Sequence, residues 1–139
     1  MFLADKLQRL LDEFALLDDP HERLAVVVDR ARKIPPLPAT DRIDANRVQG
    51  CVSVVWLAGE VRAGKCCFRG DAESPVVRGL VIFLCDFFTG APVAEASGSD
   101  IEPLETLGVM RNLSPTRRHG LAAARRAIRN FARQWQSDE

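Results

Sequence analysis

At Pro35-Pro36 the hydrophobic period of the chain changes, and this change limits the available folds more than any other feature of the sequence. Before it, Leu3, Leu7, Leu10, Phe14 and Leu17 recur at spacings of three and four, which marks an amphipathic helix that must dock its apolar stripe. A second helix follows at once. Asp19 suits its N-cap, Pro20 its first turn, Glu22 completes a capping box, and Leu24, Val27, Val28 and Ala31 form the buried stripe until the prolines stop it. Residues 1–34 are therefore expected to form a helical hairpin. Residues 35–45 form a proline-bearing connector, stiff enough to deliver the following segment to a defined place. Beyond it the pattern belongs to a sheet: residues 52–58 are β-branched and aromatic, 59–64 hold a glycine-bearing turn, and 65–69 read as a returning strand.

The helical period then resumes. Ser74-Pro75 opens a helix to about residue 89, with Gly90 beyond its end. Its apolar residues run nearly all the way round, as expected of a central buried helix, and Gly79 suits close packing there. Residues 92–95 and 100–107 suit short helices, the second closed by Gly108, and Ser114-Pro115 opens a last long helix to about Trp135. The fold class is accordingly α+β, a small antiparallel sheet packed against several helices on one side. With 139 residues, 47% of them hydrophobic, the chain suits a single domain around one core. Its parts are the N-terminal hairpin (1–34), a cysteine loop with a β-hairpin (46–71) and a C-terminal helical part (74–135). Trp56 and Phe68 are expected to pack between sheet and helices.

Nineteen basic residues balance nineteen acidic ones, so no global field favours nucleic acid or anionic lipid. The longest apolar segment, 80–88, is broken by Asp86 and falls short of the roughly 18 residues of a membrane span. The first residues alternate apolar and charged types and do not resemble a secretory signal. A cytoplasmic protein with reduced thiols is the expectation. Cys51, Cys66, Cys67 and Cys85 match neither a zinc ribbon nor a Cys-x-x-Cys redox pair, and His21 and His119 are far apart, so no metal site is expected. Cys66, Cys67 and Cys85 fit ordinary core or near-surface thiols.

Cys51 differs from these. It follows Gly50 where a turn feeds a strand, in the run Asn46-Arg47-Val48-Gln49-Gly50-Cys51-Val52-Ser53-Val54-Val55-Trp56. Glycine there supplies a hinge that could move the sulfur between sheltered and exposed positions. Arg47-Val48-Gln49-Gly50-Cys51 with Ser53, Val55 and Trp56 forms the first of three ordered motifs. The second is Gly70-Asp71, Glu73 and Val76-Val77-Arg78-Gly79-Leu80, and the third Leu113-Ser114-Pro115-Thr116-Arg117 with Gly120-Leu121. In these motifs the chain resembles the SufE-like sulfur acceptors of iron-sulfur cluster assembly. The resemblance implies that Cys51 takes persulfide sulfur from a SufS-type or related cysteine desulfurase, stimulates it, and passes sulfur to an iron-sulfur scaffold. Such a protein is a sulfurtransferase-like carrier and desulfurase accessory. It binds no cofactor of its own, the pyridoxal phosphate belonging to the partner.

Around Cys51, Gly50 is the candidate hinge, and Arg47, Gln49, Ser53 and Asp71 are candidate partner-contact residues. Asp71 and Glu73 stand before a helix start, where capping and shaping of the thiol pocket are equally open. Seven arginines lie between Arg111 and Arg133. Arg117 precedes Leu121, Ala124, Ile128, Phe131 and Trp135 at steps of four and three, so it is expected to point inward, to meet Asp71 or the cysteine loop, and to support the thiolate. Arg118, Arg125, Arg126, Arg129 and Arg133 are expected on the opposite, solvated face. Alternatives are a docking regulator that carries no sulfur, a general thiol redox protein, and a nucleic-acid module on the arginine face. The last lacks aromatic interleaving and net positive charge. A homodimer stays open.

Overall fold

A computed structural model describes residues 1–50 and 54–137; Cys51, Val52 and Ser53 lie outside the described residues. Two helices come first, α1 (Phe2–Phe14) and α2 (Pro20–Arg32). Asp19 caps α2 by accepting from the His21 amide (2.9 Å), one position earlier than the capping box centred on Glu22 would have it. A single 3-10 turn at Asp44–Asn46 ends the connector.

The sheet is one antiparallel hairpin, β1 (Val55–Arg62) with β2 (Lys65–Ala72), in a register that sets Trp56 opposite Asp71 and Val61 opposite Cys66. Here the expected turn at 59–64 is corrected. The strand runs on through Gly59, and the chain reverses at Ala63 and Gly64, both at positive φ (51° and 76°), the geometry of a two-residue hairpin turn. Gly59 serves packing: a Cβ there would stand 3.0 Å from the Phe131 ring.

Four more helices follow: α3 (Pro75–Phe88), α4 (Val93–Gly98), α5 (Pro103–Thr106) and α6 (Pro115–Ser137). Ser74 holds the N-cap position of α3, though its side chain makes no capping bond. As its composition requires, α3 is the central helix, with Val77, Leu80, Val81, Leu84, Phe87 and Phe88 all buried. A Cβ on Gly79 would stand 2.9 Å from the Val28 Cα, so glycine is what lets α2 approach α3. On the sheet, Val55, Leu57, Gly59, Phe68 and Gly70 face α3 and α6, and Phe68 meets Phe131 edge-on at 5.4 Å.

The opposite face of the hairpin is partly covered by the connector. The Leu37 amide donates to Asp71 (3.0 Å), Asp41 pairs with Arg69 (3.0 Å), and the Arg42 guanidinium lies over the Trp56 ring at 6.0 Å. Trp56 therefore sits half-buried beneath the connector, while Phe68 occupies the core. The α+β class, with its two-stranded sheet and helices, is as the sequence implies.

Candidate functional site

The residues flanking Cys51 on both sides, Arg47 and Val48 before it and Val54 and Val55 after it, are held by backbone pairing. The Val48 amide donates to the Val55 carbonyl (2.9 Å), Arg47 bridges antiparallel to Trp56, and the Glu73 amide donates to the Val54 carbonyl (3.2 Å). Val48 and Val54 thus stand at the end of the hairpin distant from the Ala63-Gly64 turn. The expected carrier Cys51 and the contact residue Ser53 lie outside the described residues. Gly50, directly before the cysteine, is exposed and has φ +87°, a backbone conformation open to glycine and strained for other residues. A Cβ on it would make only ordinary contact with Ala123 of α6, at 3.9 Å.

Beside Gly50 a cleft of about 570 Å³ opens between residues 45–49 and α6. Arg47 and Gln49 line it from one side, and Arg126, Asn130 and Gln134 from α6. These last three recur every four residues, so one face of α6 presents a cation and two amides to the cysteine motif. The helical wheel puts Arg126 on a solvated face and singles out neither Asn130 nor Gln134. Their spacing is visible in the sequence, but no local pattern says which face of a polar helix lies beside a segment some 80 positions earlier.

Asp71 is 4% exposed and forms a hub. Its carboxylate accepts from the amides of Leu37 (3.0 Å) and Ala72 (2.8 Å) and from Arg78 Nε (2.8 Å). Arg78 then uses Nη1 and Nη2 to donate to the carbonyls of Ala31 (2.9 Å) and Ile34 (2.8 Å). The pair ties the end of α2 and the start of the connector to β2 directly opposite Trp56. Asp71 is thus an internal anchor of the connector.

Arg117 is corrected: it is exposed, and the partner of Asp71 is Arg78. Its angular phase on α6 matches the buried stripe, but the first turn of the helix extends past the core that covers Leu121, Ala124 and Ile128. The buried arginine of α6 is Arg125, 4% exposed and expected outside. It lies 4.2 Å over the Phe88 ring and donates to the carbonyls of Ser99 (2.9 Å) and Ile101 (3.3 Å). Arg129 adds a bond to Ser99 (2.7 Å) and Arg133 one to Ser97 (3.3 Å), so three arginines in a row gather the carbonyls that end α4.

The remaining thiols are unbridged. Cys66 and Cys85 are buried, Cys67 half-buried. Burial pushes up the pKa of Cys66, with its neighbour Cys67 adding to the effect, and burial with the adjacent Asp86 pushes the Cys85 thiol far above the usual range. Burial thus favours the protonated form of both. Among the described residues, no group of three or more His, Cys, Asp or Glu side chains is placed to hold a metal ion, and no helix is long and apolar enough to cross a membrane.

Known proteins resemble this chain in sequence and in fold. The family model described as "SufE: Fe-S metabolism associated domain" matches residues 8–132. An uncharacterized SufE-like protein of Rhizobium etli is 33% identical over 138 residues, with 96% of this chain and 93% of that protein covered. A second, from Rhizobium meliloti, is 31% identical over 131 residues, covering 91% and 94%. The solution structure of a hypothetical protein from Thermus thermophilus superposes with a TM-score of 0.75 over 95% of this chain and 96% of that one, at 22% identity, and so shares the fold.

Proposed function

Since this chain belongs to the SufE family, whose domain is associated with Fe-S metabolism, we propose that it is a sulfur acceptor working through Cys51. A cysteine desulfurase presents a persulfide, R–S–SH. The Cys51 thiolate attacks the outer sulfur, a new S–S bond forms to Cys51, the original S–S bond breaks, and the partner's thiolate leaves. Cys51–S–SH is the product, no net oxidation occurs, and an iron-sulfur scaffold is the onward acceptor. The reaction clears the partner's cysteine and so stimulates its turnover. The pyridoxal phosphate works in the partner, in the cytoplasm.

The observation that best supports this reading is the placement of the motif. Val48 and Val55 are paired on either side of it, and a positive-φ glycine stands directly before the cysteine, beside a cleft carrying Arg47 and Arg126. A thiolate approaching these cations is favoured over the thiol, and exchange runs through the thiolate. Gly50 is the hinge; Arg47 and Gln49 meet the partner, and Ser53 belongs to the same contact. Arg117, being exposed, faces the partner instead of supporting the loop from within. Asp71 acts indirectly, by fixing the connector.

The test is intact-protein mass spectrometry after incubation with a cysteine desulfurase, cysteine and pyridoxal phosphate, with the native chain beside Cys51→Ser. A gain of sulfur mass in the native chain and none in the variant is expected. Equal gain in both would move the chemistry to another thiol. Full desulfurase stimulation by Cys51→Ser would make the protein a docking regulator that carries no sulfur.

A further inference from the structure

A second concavity, sharing no lining residue with the cleft beside Gly50, opens between α1, α2, the connector, β2 and α3. Its volume, about 790 Å³, falls in the range of sites for small molecules, roughly 300–1,000 Å³. The inner wall is apolar, with Leu10 from α1, Val27 from α2, and Ile82 and Phe83 from α3. Five chain segments border the space, which therefore suits a small ligand better than a flat partner surface.

The mouth is charged, and the charges do not balance. Lys6, Arg9, Arg30 and Arg69 stand against Glu13 and Asp86. Arg30 is committed to Glu13 and Arg69 to Asp41. Lys6 donates to two neutral carbonyls at the end of α3, Asp86 O (2.5 Å) and Thr89 O (3.2 Å). Arg9, one turn along α1 from Lys6, is exposed and pairs with no carboxylate among the described residues. Lys6 is held below its ordinary pKa by burial, with Asp86 opposing and Arg9 adding to the shift, so an anion at the mouth would relieve both cations.

We propose that this groove binds a small anionic amphiphile, an apolar chain or ring system ending in a carboxylate, whose apolar part lies between α1 and α3 and whose carboxylate meets Lys6 and Arg9. The apolar wall supplies affinity through area removed from water, and the excess of positive charge at the mouth supplies the sign.

The experiment titrates the full chain with dansyl-labelled undecanoate and follows dansyl emission, with the matching dansyl alcohol and dansyl amine as neutral and cationic controls. Saturable binding is expected in the order carboxylate, alcohol, amine. Arg9→Glu should weaken the carboxylate about three- to tenfold and leave the alcohol within about twofold, as expected for reversal of one largely exposed charge. Ile82→Trp should abolish binding of both by filling the groove. Leu10→Trp does the same from the opposite wall, and covers the case in which the first variant does not fold. Equal binding of amine and carboxylate would overturn the proposal, as would unsaturable binding. So would folded tryptophan variants that bind the probe normally, and if these also failed to stimulate a desulfurase, the groove would be a protein contact instead.

Discussion

Arg78 joins three parts of the chain, since its guanidinium serves one carboxylate and two carbonyls at once. Arg78→Ala would leave Asp71 buried without its charge partner and two carbonyls unpaired, so a loss of roughly 3 kcal/mol is expected. Asp71→Asn, which keeps the shape, should cost about 1–2 kcal/mol. Urea unfolding measures both, and an Arg78→Ala variant as stable as the native chain would mean that the connector is held elsewhere. At the same scale, Cys67 should be alkylated by iodoacetamide at pH 8 in the folded protein while Cys85 is not, as peptide mapping would read. A thiol whose pKa is raised by folding keeps its proton in the native state after the unfolded chain has lost it. The contribution of Cys85 is therefore full below the ordinary thiol range and declines as pH rises above it, and Cys85→Ala should flatten the alkaline fall in stability. Labelling of Cys85 at the rate of Cys67 would contradict its burial. The arginines that the helical wheel misplaces, Arg117, Arg125 and the half-buried Arg129, share one cause. A wheel gives direction around an axis, but burial depends on what lies opposite, and the segment that covers Arg125, residues 99–101, is remote in sequence and irregular.

Elements bounded by proline and by helical caps were legible: the start of α2 at Asp19, both ends of α3 and the start of α6 at Pro115 fall where Asp19, Ser74, Gly90 and Ser114 point, whereas α1 stops at Phe14, short of the Leu17 that its stripe includes, α4 runs on to Gly98 and α5 is only Pro103–Thr106. The strands were less so, because one residue type serves two purposes. Gly59 is required for the approach of Phe131, whereas the turn uses Gly64 after Ala63, a non-glycine residue at φ 51° that nothing local announces. The same ambiguity separates Gly79 from Gly50, and substitution should expose it. Gly79→Ala would drive a methyl group to 2.9 Å from the Val28 backbone, where nothing flexible can yield. The gain in helix propensity, about 1 kcal/mol, is outweighed by overpacking, and a net loss of about 1–2 kcal/mol is expected. Gly50→Ala meets only an ordinary contact with Ala123, but its backbone at φ +87° is strained by about 1–2 kcal/mol. Gly50→Pro cannot hold that φ at all, because its ring fixes φ near −65°. Both Gly50 variants should keep the melting temperature close to native, since an exposed position can relax, and both should slow sulfur uptake from a desulfurase, proline more than alanine. Uptake at the native rate in Gly50→Pro would remove the hinge.

One apolar cluster runs from Leu3 in α1 through Val55 and Phe68 in the sheet to Ile128 and Ala132 in α6, and Leu84, Phe87 and Phe88 of the central helix belong to it. Long-range polar ties cross the same space. The Leu3 amide donates to Glu95 (2.8 Å), Arg23 reaches the Leu107 carbonyl (2.9 Å), and Asp71 with Arg78 joins the connector to β2. A chain of this size with a single core cannot release α1 and α2 without uncovering α3, or release α6 without uncovering the sheet, so unfolding should be all-or-none. The two tryptophans make this measurable, because Trp56 lies under the connector and Trp135 stands 41% exposed near the end of α6. With Trp135→Phe, emission reports Trp56 and the sheet, while far-ultraviolet circular dichroism reports mainly the helices. The two urea transitions should coincide in midpoint and slope, and Arg78→Ala should shift both together. A Trp56 transition that precedes the loss of helix would mean that the hairpin and connector open as a separate unit. The cysteine motif would then ride on a locally unstable element instead of being hinged at Gly50 on a fixed one.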